Sequence, residues 1–303
     1  MAAALPDNSI AHRYLHCNLN VVDVDVAGAF YSAVVGITET MRSGDRDTET
    51  DGAVLSVPGM TRSTAAFFYD SRGPRTACAN EIVAWYQPAT VGVPYEDPWA
   101  VGLQALGYAV DDPAATAALA RANGGKDATG PDVSDVVGGP TVTVLDPSGS
   151  GVDLVQDAAE AGTIRHLRQN VRNLDASVEW YQAIGFSVVR EPADGVLGGT
   201  PVRHATLKLS DEKQRLVLVQ VPSSAPQQPY TEPYHAGLFR SALQVDDPVA
   251  AHERLIAEGR SAGAELHELE LGGTNVGHLQ ILVLRDPDGV LVEMVGRDRS
   301  IFR

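Results

Sequence analysis

The stretch HCNLNVVDVDVAGAFYSAVVGI, residues 16–37, decides the fold, because HLRQNVRNLDASVEWYQAIGF, residues 166–186, answers it. His16 and His166 stand 150 positions apart, and so do Tyr31 and Tyr181. Two further blocks follow in the same order. YAVDDPAATAALARANGG (108–125) is matched by LQVDDPVAAHERLIAEGR (243–260), and VTVLDPSGSGVDLVQ (142–156) by LVLRDPDGVLVEMVG (282–296). Three blocks in one order, with offsets that drift only across loops, mark an internal duplication.

Each half repeats again. LNVVDVDVAGAFYSAVVG resembles GYAVDDPAATAALARANG from the same half. Both read as a strand, an Asp that can cap a helix, an amphipathic helix and a Gly. Val24, Ala27, Phe30 and Tyr31 fall at helical spacing behind Asp23; Ala114, Ala117, Ala118 and Leu119 do so behind Asp112 and Pro113. Short apolar runs broken by turn residues follow, TAAFFYD and EIVAWY in one quarter, TVTVLD and GVDLVQ in another. They read as strands, and DPSG and DPDG read as the turns that close the last hairpins. The expected unit is strand–helix–strand–strand–strand, used four times in an α+β chain. Two halves are expected, 12–157 and 163–297, each of two units, with the helices outside. A weak connection is expected near 156–164, and loose linkers at 86–99 and 222–236.

The bulk composition narrows the function. A chain of 303 residues, 44% hydrophobic and 20% charged, is ordinary globular material, not a disordered or fibrous one. Acidic residues number 39 against 23 basic ones, a formal net charge of −16, which disfavours nucleic acid and anionic membrane surfaces as partners. No apolar run approaches the ~20 residues of a membrane span. The start, MAAALPDNSIAHRYLH, has no basic region followed by an apolar one, so a cytoplasmic location is the default expectation. Cys17 and Cys78 are too few for a disulfide framework or a Cys-based zinc site. No P-loop, GxGxxG or GxSxG occurs, so no nucleotide cofactor and no serine nucleophile are expected.

Strand alternation places His16 with Asn18 and Asn20 on one face and Cys17, Leu19 and Val21 on the other. His166 likewise shares a face with Arg168 and Asn170. In both halves the histidine lies on the polar side of its strand.

These residues resemble the vicinal oxygen chelate superfamily, which includes glyoxalase I, methylmalonyl-CoA epimerase, fosfomycin-modifying enzymes, extradiol dioxygenases and bleomycin-sequestering proteins. The carriers are His16, Asp23 and Phe30-Tyr31; Glu81-Ile82-Val83-Ala84-Trp85; Val110-Asp111-Asp112; and the two DPxG turns, each followed by an acid. The resemblance implies that two units pair into a curved, half-open barrel. Its concave cup then holds one divalent metal on residues from the first and last strands of each unit. With neighbouring units paired, the first cup offers His16, Glu81, Ala105 and Asp153, and the second offers His166, Val217, Arg240 and Glu293.

The resemblance therefore implies a divalent metal (Fe, Mn, Ni or Zn) on His16, Glu81 and Asp153 in the N-terminal cup. Glu81 and Asp153 double as proton-transfer groups, and Asn18, Asn20 and Trp85 face the substrate. In the second cup an Arg240–Glu293 ion pair beside His166 takes the place of a metal. There Arg168 is a second anion clamp and His278 an acid/base candidate. Trp85, Tyr86, Tyr95 and Trp99 either stack on a planar ligand or pack. Three functions stay open: a metal-dependent isomerase, lyase or glyoxalase-like enzyme on a small oxygenated metabolite; a metal-free small-molecule or drug-sequestering protein; and an extradiol-type dioxygenase. The expected partner is a small molecule, and a homodimer is left open.

Overall fold

The computed structural model describes residues 7–52, 57, 59–94, 97–225, 232–260, 264–271 and 277–302. The first unit comprises β1 (Ala11–Val21), α1 (Val24–Val35), β2 (Thr38–Ser43), a two-residue β3 (Thr50–Asp51), β4 (Met60–Tyr69) and β5 (Ala79–Gln87). The second comprises β6 (Gly102–Val110), α2 (Pro113–Ala122), β7 (Lys126–Asp127), a short α3 (Ser134–Val137), β8 (Thr141–Leu145) and β9 (Gly151–Gln156). The third comprises β10 (Ile164–Val171), α4 (Leu174–Ala183), β11 (Ser187–Leu197), β12 (Thr200–Lys208) and β13 (Arg215–Gln220). The fourth comprises β14 (Gly237–Val245), α5 (Pro248–Ala257), β15 (Glu265–Leu271), β16 (Gly277–Arg285) and β17 (Leu291–Gly296). Among the described residues no helix is long and apolar enough to cross a membrane.

The helices start where the repeated Asp or Asn stands. Asp23, Asp112, Asn173 and Asp247 each accept backbone N–H bonds from the first turn behind them. Pro113 and Pro248 occupy the first helical position, where no N–H is needed.

The sheets are not built as sequence adjacency suggests. One sheet runs β15-β16-β17-β14-β1-β5-β4-β2, the other β11-β12-β13-β10-β6-β9-β8-β7. Units one and four thus share the first sheet, through the antiparallel pair β1·β14, and units two and three share the second, through β10·β6. The expected pairing of neighbouring units is corrected, and neither half, 12–157 or 163–297, holds a complete cup. Linker length supplies the reason. The short joint 157–163 turns the chain back beside β6, while the long stretches 88–101 and 221–236 carry it from one sheet to the other.

The joint near 156–164 is accordingly firm, not weak. Asp157 donates its N–H to Val110 O at 2.9 Å, Gly162 to Ala109 O at 2.8 Å, and Ala109 in turn to Thr163 O at 2.9 Å.

Units one and two, and units three and four, do meet, but through their helices. Tyr31 of α1 donates to Asp146 of the DPSG turn at 3.1 Å, and Tyr181 of α4 donates to Asp286 of the DPDG turn at 3.2 Å. One apolar cluster joins the buried faces of α1, α2, α4 and α5 to Leu19, Ile82 and Met294 of the first sheet and Leu106, Leu154 and Leu218 of the second. The helices therefore cover the faces of the sheets opposite the cups, within a core common to both.

Candidate functional site

Register fixes the equivalent positions. Glu81 lies opposite Asn18, Asp153 opposite Gly107, Val217 opposite Arg168 and Glu293 opposite Ala242. Each is paired with the residue two beyond His16, Ala105, His166 or Arg240. The eight positions read from the sequence are therefore equivalent in the structure, but the exchanged pairing regroups them. The first cup contains His16, Glu81, Arg240 and Glu293. The second contains Ala105, Asp153, His166 and Val217.

In the first cup four side chains from four strands converge. His16 Nε2 lies 3.4 Å from Glu81 Oε2 and 3.7 Å from Glu293 Oε2. Arg240 places Nε 2.7 Å from Glu293 Oε1 and donates through Nη2 to Glu81 Oε2 at 3.2 Å. Asn18, beside Glu81 on the neighbouring strand, donates to the same Oε2 at 3.1 Å. The Phe67 ring stands edge-on to His16, with centroids 5.5 Å apart. Burial alone would push the Glu293 carboxyl up, but Arg240 and His16 outweigh it and hold it below the ordinary range. Burial acts to lower the Arg240 guanidinium, and the two carboxylates raise it above its usual value.

The walls of this cup are apolar. Phe239, Ala242, Ile281, Val283, Leu291 and Val295 cluster on the side of unit four, and Val57, Val83 and Trp85 on the side of unit one. His16 retains 14% side-chain exposure. The Nη1 of Arg240 and the Nε2 of His16 are buried and make no hydrogen bond among the described residues.

The second cup is filled. Asp153 and His166 are both 0% exposed. Arg168 donates to both Asp153 oxygens, at 2.8 and 3.2 Å, His166 Nε2 approaches at 3.0 Å and Thr143 donates at 2.7 Å. Burial favours the protonated acid, but Arg168 and His166 reverse this and hold the Asp153 carboxyl well below its usual range. Burial keeps His166 below the ordinary imidazole value despite Asp153. Val133, Val136 and Val137, in and beside α3, pack on Leu197, Val202, Val217 and Val219 and occupy the interior.

Three sequence-based site assignments are corrected. Asp153 does not join His16 and Glu81; it lies in the other sheet with His166 and Arg168, so the metal set His16, Glu81, Asp153 and the catalytic pairing of Asp153 with Glu81 do not form. The Arg240–Glu293 pair exists, but beside His16, not His166. His278, at the exposed outer part of β16, lies in the first sheet and so cannot serve the cup of His166.

Other expected contacts have other employment. Asn20 donates to Pro233 O at 2.7 Å and His235 O at 2.9 Å, and accepts from Trp85 Nε1 at 3.1 Å. Asn170 does the same for the other linker, donating to Pro98 O and Ala100 O. Both asparagines anchor the crossing linkers to the sheets. Trp85 belongs to the first cup and Trp99 packs at the second, while the Tyr86 ring lies under Arg46 at 4.3 Å. These three rings make no common surface, and Tyr95 lies outside the described residues.

The family resemblance implies a divalent metal, and the donor set tests that. His16, Glu81 and Glu293 point at one another, but the fourth position carries a permanent cation with no lone pair, already in contact with both carboxylates. An ion among these donors would stand a few ångström from the guanidinium. Among the described residues no group of three His, Cys, Asp or Glu side chains is arranged to hold a metal ion. The residues present do not fit a resident divalent metal.

The family model for the glyoxalase/bleomycin resistance protein/dioxygenase superfamily matches residues 13–154 and 163–294. The chain belongs to this superfamily. Its fold is similar to that of Zea mays glyoxalase I, at 21% identity and a TM-score of 0.70, over 96% of this chain and 94% of that one. It is also similar to a candidate dioxygenase of Bacillus subtilis subsp. subtilis str. 168, at 12% identity and a TM-score of 0.60, over 94% and 85% of the two chains. No curated protein sequence matches. At these identities the superfamily likeness describes the fold, and superfamily members with one fold carry different chemistries.

Proposed function

We propose that the cup of the first sheet binds a small oxygenated molecule and promotes proton transfer on it, using His16, Glu81, Glu293 and Arg240 without a resident metal. One observation carries this reading: four polar side chains from the two ends of the chain meet at the floor of an apolar-walled cup, where Arg240 Nη1 and His16 Nε2 lack hydrogen-bond partners. Arg240 supplies a hydrogen-bond donor to a ligand oxygen, and the carboxyl groups of Glu81 and Glu293 are the candidate bases within reach of His16. Isomerisation, epimerisation or lyase-type chemistry needs no more than this.

The alternative is sequestration by the same cup without reaction. Calorimetry against a panel of small 2-oxo acids and α-hydroxyketones tests binding. NMR detection of deuterium uptake at the ligand's α-carbon in D2O then separates enzyme from binder. Binding lost in His16→Ala, with exchange lost in Glu81→Gln, is expected. A need for about one equivalent of divalent metal, or binding indifferent to both substitutions, would overturn the proposal.

A further inference from the structure

We infer that Arg240 is a built-in cation standing in the place of a divalent metal, and that this one side chain decides whether the first cup takes a metal. Its position is equivalent to those of His16 and His166, two residues before the partner of the last-strand acid in its own unit. Two of the four equivalent positions carry imidazole, one carries Ala105 and one carries this guanidinium.

Charge explains why a cation belongs there. Glu81 and Glu293 are both buried, each 7% exposed, and their oxygens converge on one imidazole nitrogen. Two such carboxylates without a counter-charge would be strongly destabilised. The chain supplies the counter-charge covalently, on Nε and Nη2, with the Arg240 side chain only 5% exposed. A bound ion can dissociate or be exchanged; this one cannot.

The second cup follows the same rule, because its one acid, Asp153, is taken by Arg168 through two hydrogen bonds. Among the described residues, every acid at a last-strand position is in contact with an arginine. Replacing Arg240 with His would remove the internal cation and leave two imidazoles and two carboxylates facing one point, a nitrogen–oxygen set suited to Zn²⁺, Ni²⁺ or Mn²⁺.

The test uses the full chain, stripped with chelator and titrated by calorimetry with ZnCl2, NiCl2 and MnCl2, with Mn²⁺ electron paramagnetic resonance as a second readout. Wild type is expected to bind no ion at the cup. Arg240→His is expected to bind one equivalent, at least ~100-fold more tightly than any residual association of the ion with wild type, and to lose it again when Glu293→Gln is added. Arg240→Gln, which keeps length and removes charge, is expected to bind an ion more weakly through His16, Glu81 and Glu293. One equivalent bound by wild type and lost in Glu293→Gln would overturn the inference, and so would a folded Arg240→His that binds none. If Arg240→His does not fold, Arg240→Gln and the wild-type titration decide. Because no organic ligand is used, the outcome is distinguishable from failure of the proposed small-molecule activity.

Discussion

Asp286 shows how one residue of the repeated turn is tied into the core. Its Oδ1 accepts the N–H groups of Asp288 and Val290, and its Oδ2 accepts from Gln169 at 2.5 Å and from Tyr181. Burial nonetheless outweighs these bonds and pushes its carboxyl up to about 6. A carboxyl raised on folding holds its proton more tightly in the native state. Its favourable contribution is therefore fullest below the ordinary carboxylate range and is lost as pH rises through about 6. Urea unfolding of wild type and Asp286→Asn at pH 4 and pH 7 tests this. Wild type should lose on the order of 1–3 kcal/mol relative to the variant between the two pH values. Parallel pH dependence in the two proteins would rule out the assignment.

At the scale of elements, the hairpins that carry Asp153 and Glu293 depend on their turns. Gly149 and Gly289 adopt φ of +98° and +86°, a region that β-branched residues rarely enter. Space is not the constraint: a Cβ at Gly289 would meet nothing within 4 Å, and one at Gly149 only Pro94 at 3.7 Å. Gly149→Val and Gly289→Val should each cost about 1–3 kcal/mol from backbone strain alone. Thermal melts check this, and unchanged midpoints in both variants would contradict it. The strand β1 shows a second element-level rule. Its alternation puts Cys17 and Leu19 into the core and His16 and Asn18 into the cup, so a one-residue slip would exchange the two faces.

For the molecule as a whole, the exchanged pairing makes the halves interdependent. β1 finds its partner in β14 and β6 in β10, each across the duplication. Residues 12–157 expressed alone would leave β1 and β6 each with an unpaired edge, a template for association. We expect that fragment to be unfolded or oligomeric, and co-expression with 163–297 to give a complex of one copy of each. Size-exclusion chromatography with light scattering distinguishes these outcomes. A folded, monomeric 12–157 fragment would show that units one and two can form a cup on their own.

The amino-acid sequence by itself determined the four units, their caps and turns and the polar face of the first strands, because each of these is written in local spacing; the eight equivalent positions around the cups came from the family resemblance laid over those units. His16, Glu81, Arg240 and Glu293 were each named from the sequence, the first two for one cup and the last two for the other. Which of them meet was not legible, because it depends on which strand edges pair. That choice follows from the reach of three linkers and from side-chain bonds such as Tyr31 to Asp146, which satisfy neighbouring units through their helices and leave their strand edges free for distant partners. The filling of the second cup by Val133, Val136 and Val137 was hidden for the same reason: a few apolar residues in and beside a one-turn helix acquire meaning only from the concave surface they enter. Tertiary structure thus moved Asp153 from one site to the other and placed Arg240 between two carboxylates, a contact between residues 159 positions apart in the case of Glu81.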